Sequence, residues 1–212
     1  MPVTSKKPAK LRRSQGERSE ASRASLIESA IRHTRERGLA AVSLADIAAD
    51  AKLSRGAIQH HFSSRAELIL AAISELDRRI CVALEAYTAP DDVAGVDRVA
   101  VIFDHVIALA DSSDVVAAYD LWSASRSDPA LSHRTAELQR QLTDQFRTFW
   151  RRNLEGHMPP ALVEMSLDIT LMINQGAAMS QLLRHASGDT KRTLLEAKAM
   201  LLEFIGGRLG QG

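Results

Sequence analysis

A chain of 212 residues with 45% hydrophobic and 25% charged residues has the balance of a globular protein, which excludes wholesale disorder and leaves room for one or two domains. No apolar run approaches the roughly 18 residues of a membrane helix, and residues 1–20 are too basic and polar for a secretory signal, so no membrane partner and a cytoplasmic location are expected. The net charge of +1 conceals a split: residues 1–65 hold thirteen Lys and Arg against six Asp and Glu, or +7, and the remainder 14 against 20, or −6, so the front is the part suited to a polyanion.

Residues 1–21 carry Lys6, Lys7, Lys10, Arg12, Arg13 and Arg18 with scarcely an apolar group, and read as a disordered basic arm. From Ser22 onward, apolar residues recur at spacings of three and four, which predicts helix almost throughout and no convincing strand. A first helix over 22–37 turns Leu26, Ile27, Ala30 and Ile31 inward and ends at Gly38, which supplies a left-handed residue. A second opens at Ser43, whose hydroxyl caps free amides while Asp46 answers three residues later. Lys52-Leu53 makes a tight connection, and Ser54 caps a short third helix through His61. Ser64-Arg65-Ala66-Glu67 forms another capping box. It launches a long helix with Ile69, Ala72, Ile73, Leu76, Ile80, Ala83 and Leu84 in helical register, stopped by Ala89-Pro90-Asp91-Asp92.

Behind that loop the pattern predicts helices over 96–110, 114–127, 129–154, 161–185 and 189–206. Asp128 caps the third of these and Pro129 takes its first position. The fold expected is all-α: a helix-turn-helix head over 22–66 and a larger helical body over 67–212 for effector binding and dimerisation. Cys81 is the only cysteine, so no intrachain disulfide or multi-thiolate metal site can form.

Three short helices with a tight turn between the second and third form the geometry that lays a helix in the major groove. The reading helix is Arg55-Gly56-Ala57-Ile58-Gln59-His60-His61. Ile58 and Phe62, four apart, face inward onto Leu44 and Ile47. Gly56 and Ala57 then allow close approach to bases, Gln59 can pair with adenine, and Arg55 can reach guanine or phosphate. Ser43, Lys52, Ser54, His60 and Arg65 are candidates for positioning contacts to phosphates, Arg65 from the first turn of a helix.

Residues 24–70, with Gly38-Leu39, Val42-Ser43-Leu44-Ala45-Asp46-Ile47-Ala48, Leu53-Ser54-Arg55-Gly56-Ala57-Ile58, His61-Phe62 and Leu68, resemble the tetracycline-repressor (TetR-type) transcriptional regulators. The resemblance implies an all-helical homodimer that binds a double-stranded, palindromic operator, represses transcription and is released by a small-molecule effector. The chain departs from the common family residues Thr, Leu and Tyr at Ala57, Ile58 and Gln59, and from Lys at Arg65; Gln59 removes an aromatic phosphate contact.

The helix over 161–185 is apolar on two sides and so needs covering on two sides. One stripe, Ile169, Ile173, Gly176, Ser180 and Leu183, is expected at a dimer interface with Leu201 and Phe204 of the last helix. His105, Tyr119, Trp122, Arg126, Gln145 and Asn174 place polar or aromatic groups on apolar faces and are the expected lining of an effector pocket. Asp104-His105 and His60-His61 are adjacent pairs pointing about 100° apart on a helix, which cannot jointly grip a metal. Phosphate-loop, nucleophile-elbow and zinc-helix motifs are missing, so neither an enzyme nor a cofactor nor a metal site is expected. The alternative is a helical nucleic-acid or protein interaction module without effector control.

Overall fold

The computed structural model describes residues 14–182 and 188–210, and among them the architecture is helical without a strand. The helices are α1 Gln15–Arg37, α2 Leu44–Asp50, α3 Arg55–His61, α4 Arg65–Glu85, α5 Gly95–Ala110, α6 Ser113–Ser125, α7 Pro129–Leu154, α8 Pro160–Leu182 and α9 Gly188–Leu209. A 3-10 turn, Leu39–Ala41, joins α1 to α2. None of the described helices is long and apolar enough to cross a membrane.

α1 starts at Gln15, earlier than the expected Ser22, because Ser14 and Glu17 form a reciprocal capping box: Glu17 N–H donates to Ser14 Oγ at 3.1 Å, and Ser14 N–H donates to the Glu17 carboxylate at 2.6 Å. Part of the expected arm is therefore helix, and residues 1–13 lie outside the described residues. Gly38 ends α1 at φ 75°, as the pattern required. At α4 the expected box is divided between two serines. Ser64 Oγ accepts from Glu67 N–H at 3.2 Å, but the Glu67 carboxylate accepts from Ser63, at 2.6 Å from its N–H and 2.8 Å from its hydroxyl.

α4 is the central strut. Leu68, Ala72, Ile73 and Leu76 are fully buried on it, and it packs against α1 in the head and against α6 and α7 in the body. Below α4 the chain turns around Arg98, a buried cation whose guanidinium donates to four carbonyls: Asn153 at 2.5 Å, Pro90 at 2.7 Å, Val93 at 2.9 Å and Ala89 at 3.4 Å. Those carbonyls replace the water the charge has lost, so the loop before α5 is locked to the end of α7.

Candidate nucleic-acid interface and internal cavity

The head is assembled from local chemistry. Ser43 Oγ accepts from Asp46 N–H at 3.1 Å and its hydroxyl donates to the Asp46 carboxylate at 2.7 Å, which holds that carboxyl below its usual range. After α2, Lys52 adopts φ 57°, a left-handed conformation that a lysine occupies at a cost, and Leu53 N–H closes the turn on the Ala48 carbonyl at 2.9 Å. Ser54 Oγ then accepts from Ala57 N–H at 3.2 Å and starts α3. Each such cap stabilises by about 1 kcal/mol.

Ile58 and Phe62 plug α3 into the head core, buried to 3% and 2% exposure, each contributing about 1.5–3 kcal/mol. That orientation leaves Arg55, Gly56, Gln59 and His60 exposed together on one face, with Ala57 half-buried beside them and Lys52 and Ser54 exposed at its edge. A Cβ at Gly56 would meet nothing nearer than Ser54 Oγ at 3.7 Å, so internal packing does not require glycine there. Ser43 and Ser54 are engaged as caps. Arg65 donates to the carbonyls of Leu39 at 3.1 Å and Val42 at 3.4 Å, stapling the 3-10 turn to the first turn of α4. One cation escaped the sequence reading: Arg23 lies over the Phe62 ring, 5.1 Å from its centroid, at the edge of this face.

In the body, α4, α6, α7 and α8 line a pocket of about 550 Å³ that opens to solvent. Ile80, Val115, Leu142, Phe146 and Leu171 make its apolar walls, and Tyr119, Trp122 and Asn174 line it as the sequence suggested. Burial pushes the Tyr119 hydroxyl upward, so it stays protonated. Arg126 opens instead on an adjoining recess shared with Tyr119, Trp122 and Met179. Two expected residues are misplaced. Gln145 is exposed on α7, because the pocket side of that helix is centred on Ala136, Gln139, Arg140, Thr143 and Arg147, and Gln145 lies beyond its edge. His105 stacks on Tyr87 at 4.3 Å between ring centroids, away from the cavity lining, and burial lowers its pKa.

The cavity is tied to the head through α6. Between the pocket residues Tyr119 and Trp122, the Asp120 carboxylate accepts from Leu39 N–H at 2.9 Å, and nearly two turns earlier Asp114 pairs with Arg35 of α1. α8 and α9, which pack on each other, carry exposed apolar side chains: Met172 is 70% exposed, Met200 71%, Leu195 60% and Phe204 44%. Gly176 and Phe204, two of the residues expected at a dimer interface, are exposed. Leu201, however, is buried in the chain's own core, and Ile169, Ile173 and Ser180 are half-buried, so the outward stripe of α8 runs through Met172, Gly176 and Met179. Leu183 lies outside the described residues.

Residues 26–72, the head and the start of α4, match the sequence model of the family described as bacterial regulatory proteins, tetR family. The head, residues 26–72, is thus of the tetR type. The HTH-type transcriptional regulator CymR of Pseudomonas putida is 34% identical over 135 residues, a match covering 61% of this chain and just under two thirds, 64%, of CymR's own length. In the solved structures the likeness extends to the body. A transcriptional regulator from Rhodococcus sp. Rha1 superposes with TM-score 0.66 at 20% identity, covering 87% of this chain and 95% of its own. The multidrug binding protein EbrR, solved with imidazole, reaches TM-score 0.60 at 21% identity over 86% of this chain and 89% of its own. At those identities the likeness concerns the fold alone.

Proposed function

We propose that this protein is a transcriptional repressor of the tetR family that grips a palindromic operator as a homodimer and lets go when a small molecule enters the body pocket. The observation that carries the reading is the two-sidedness of α3. Ile58 and Phe62 anchor it, while Arg55, Gly56, Gln59 and His60 stand free on the opposite side. Arg55 and Gln59 supply the donors and acceptors that base edges require, and Gly56 and Ala57 keep the backbone close to them. One such head reads too few bases for specificity, and the exposed α8–α9 surface supports pairing with a second copy.

Two connections support release by an effector. α4 starts at Arg65, which holds the head's 3-10 turn, and reaches the cavity at Ile80. α6 presents Tyr119 and Trp122 to the cavity and Asp120 and Asp114 to the head. A ligand that favours one tilt of these helices changes the separation of two paired heads and hence operator affinity. The likeness to a multidrug binding protein agrees with a ligand-accepting body.

The deciding experiment is selection of bound duplexes from random DNA by the full chain. A two-fold symmetric winner is expected, with Arg55→Ala and Gln59→Ala each costing about 1–3 kcal/mol of affinity for it. Enrichment of no sequence, or equal competition by random duplex, would favour the interaction module instead.

A further inference from the structure

From the shape and charge of the open trough along α7, we infer the chemical class of the effector: an elongated amphiphile with one anionic head, such as a medium-chain carboxylate. This rests on the reading of the pocket as the effector site.

The pocket does not stop at Trp122. Tyr119, Trp122, Ala136 and Gln139 also border the adjoining recess of about 490 Å³, so the two recesses run side by side along α7 with the small side chain of Ala136 at their join. Helical spacing explains the alignment. Val115, Tyr119, Trp122 and Arg126 follow one another along α6 at intervals of four, three and four, while Ser132, Ala136, Thr143 and Arg147 keep to one face of α7. From Val115 to Arg126 the trough measures about 16 Å, at 1.5 Å per residue, a length suited to an extended chain rather than a compact ring.

Its two ends differ in character. At one end Ile80, Val115, Leu142 and Phe146 supply apolar walls. At the other, Arg126 is exposed beside the hydroxyls of Ser123 and Ser132. The nearby Asp128 is occupied as the cap of α7, its carboxylate accepting from Ala130 N–H at 2.9 Å, and Arg126 makes no ion pair among the described residues. A tail lying on the apolar walls would therefore bring its head to a guanidinium with donors to spare.

The sign of the charge selects the head. The two linings hold three guanidinium groups, Arg126, Arg140 and Arg147, against the single carboxylate of Asp144. Arg147 is compensated by Asp144 at 3.0 Å and by Glu164 at 3.3 Å, which leaves Arg126 and Arg140 unmatched. Residues 66–212 as a whole carry 14 Lys and Arg against 20 Asp and Glu, or −6, so a cationic trough stands out from an acidic body. Water screens exposed arginines, so the head contributes selectivity and the buried tail most of the affinity.

The test is calorimetric titration of the full chain at pH 7.5 with decanoate, octanoate, 1-decanol and decyltrimethylammonium, each below its micellar range. Decanoate is expected to bind tightest, about three- to tenfold over the alcohol and by more over the ammonium. Its two extra methylenes should favour it about fivefold over octanoate. Arg126→Gln should weaken decanoate about three- to tenfold and leave decanol unchanged. Ala136→Phe, which obstructs the join, should bring decanoate down to the affinity of octanoate, and Ala136→Met is a smaller obstruction should the phenylalanine variant fail to fold. Decanol or the ammonium binding as tightly as decanoate, equal affinities for decanoate and octanoate, or an Arg126 or Ala136 variant that binds decanoate normally would each overturn the assigned class while leaving the pocket reading intact. If none of the four binds while the chain still selects its operator, the pocket reading itself falls.

Discussion

Asp77 is the residue whose environment departs furthest from its chemistry. It sits on α4 among Ile73, Leu76 and Ile80 at 8% exposure, neither carboxylate oxygen has a hydrogen-bond partner, and burial pushes its pKa up to about 7. The unfolded value is about 3.9, so between those limits the folded chain holds a proton that the unfolded chain releases. The associated stability is full below about pH 4 and lost as pH rises through about 7. Over the whole interval this amounts to on the order of 4 kcal/mol. Asp77→Asn removes the titration. Its melting temperature relative to the parent should rise by several degrees between pH 5 and pH 8, and a gap independent of pH would refute this account. Lys52 carries strain of another kind, in the turn of the head. At its φ of 57° a β-branched replacement is worse still, so Lys52→Val should lower stability in urea by about 1–2 kcal/mol, whereas Lys52→Gly should be neutral or slightly stabilising.

Among the elements, α6 joins the two halves of the molecule. Its residues alternate between the cavity and the head because Tyr119 and Trp122 lie three apart on one face, with Asp120 between them turned to the Leu39 amide. Asp120→Ala leaves the cavity lining untouched but frees the 3-10 turn. The ligand affinity of the DNA-free protein should then change little, while the fold-change in operator affinity on adding ligand shrinks severalfold, by the loss of a single coupling contact. Undiminished coupling in that variant would assign the transmission to α4 alone. The sequence foretold the start of α6 within a residue, and Tyr119 and Trp122, expected to line an effector pocket, both border the pocket of the body. The partner of Asp120 was hidden because Leu39 lies far away in the chain, and no local pattern encodes that pairing.

At the scale of the whole molecule, the α8–α9 surface is the feature a lone chain leaves unresolved in energy. Met172, Met200, Leu195 and Phe204 are exposed apolar side chains that the proposed pairing would cover. Placing charges there should separate the copies without unfolding either. Met200→Glu with Phe204→Glu should sediment as a monomer, retain the parent's helical circular dichroism and lose operator affinity, since two heads no longer bind as one unit. A double variant that sediments like the parent would place the pairing surface elsewhere.

The features that the sequence determined by itself are those whose partners lie within about four residues. The caps at Ser43 and Ser54, the stop at Gly38, the anchor pair Ile58 and Phe62 and the free face of Arg55, Gln59 and His60 are all of this kind. Helical spacing and capping chemistry act locally, so one segment contains both donor and acceptor. Tertiary structure alone decided that Leu201 turns inward while Met172 and Met200 turn outward, that Thr143 rather than Gln145 meets the cavity, and that Arg65 closes on Leu39 and Val42. A helix apolar on two sides is compatible with either rotation, and only the neighbours brought to it by the rest of the chain select one.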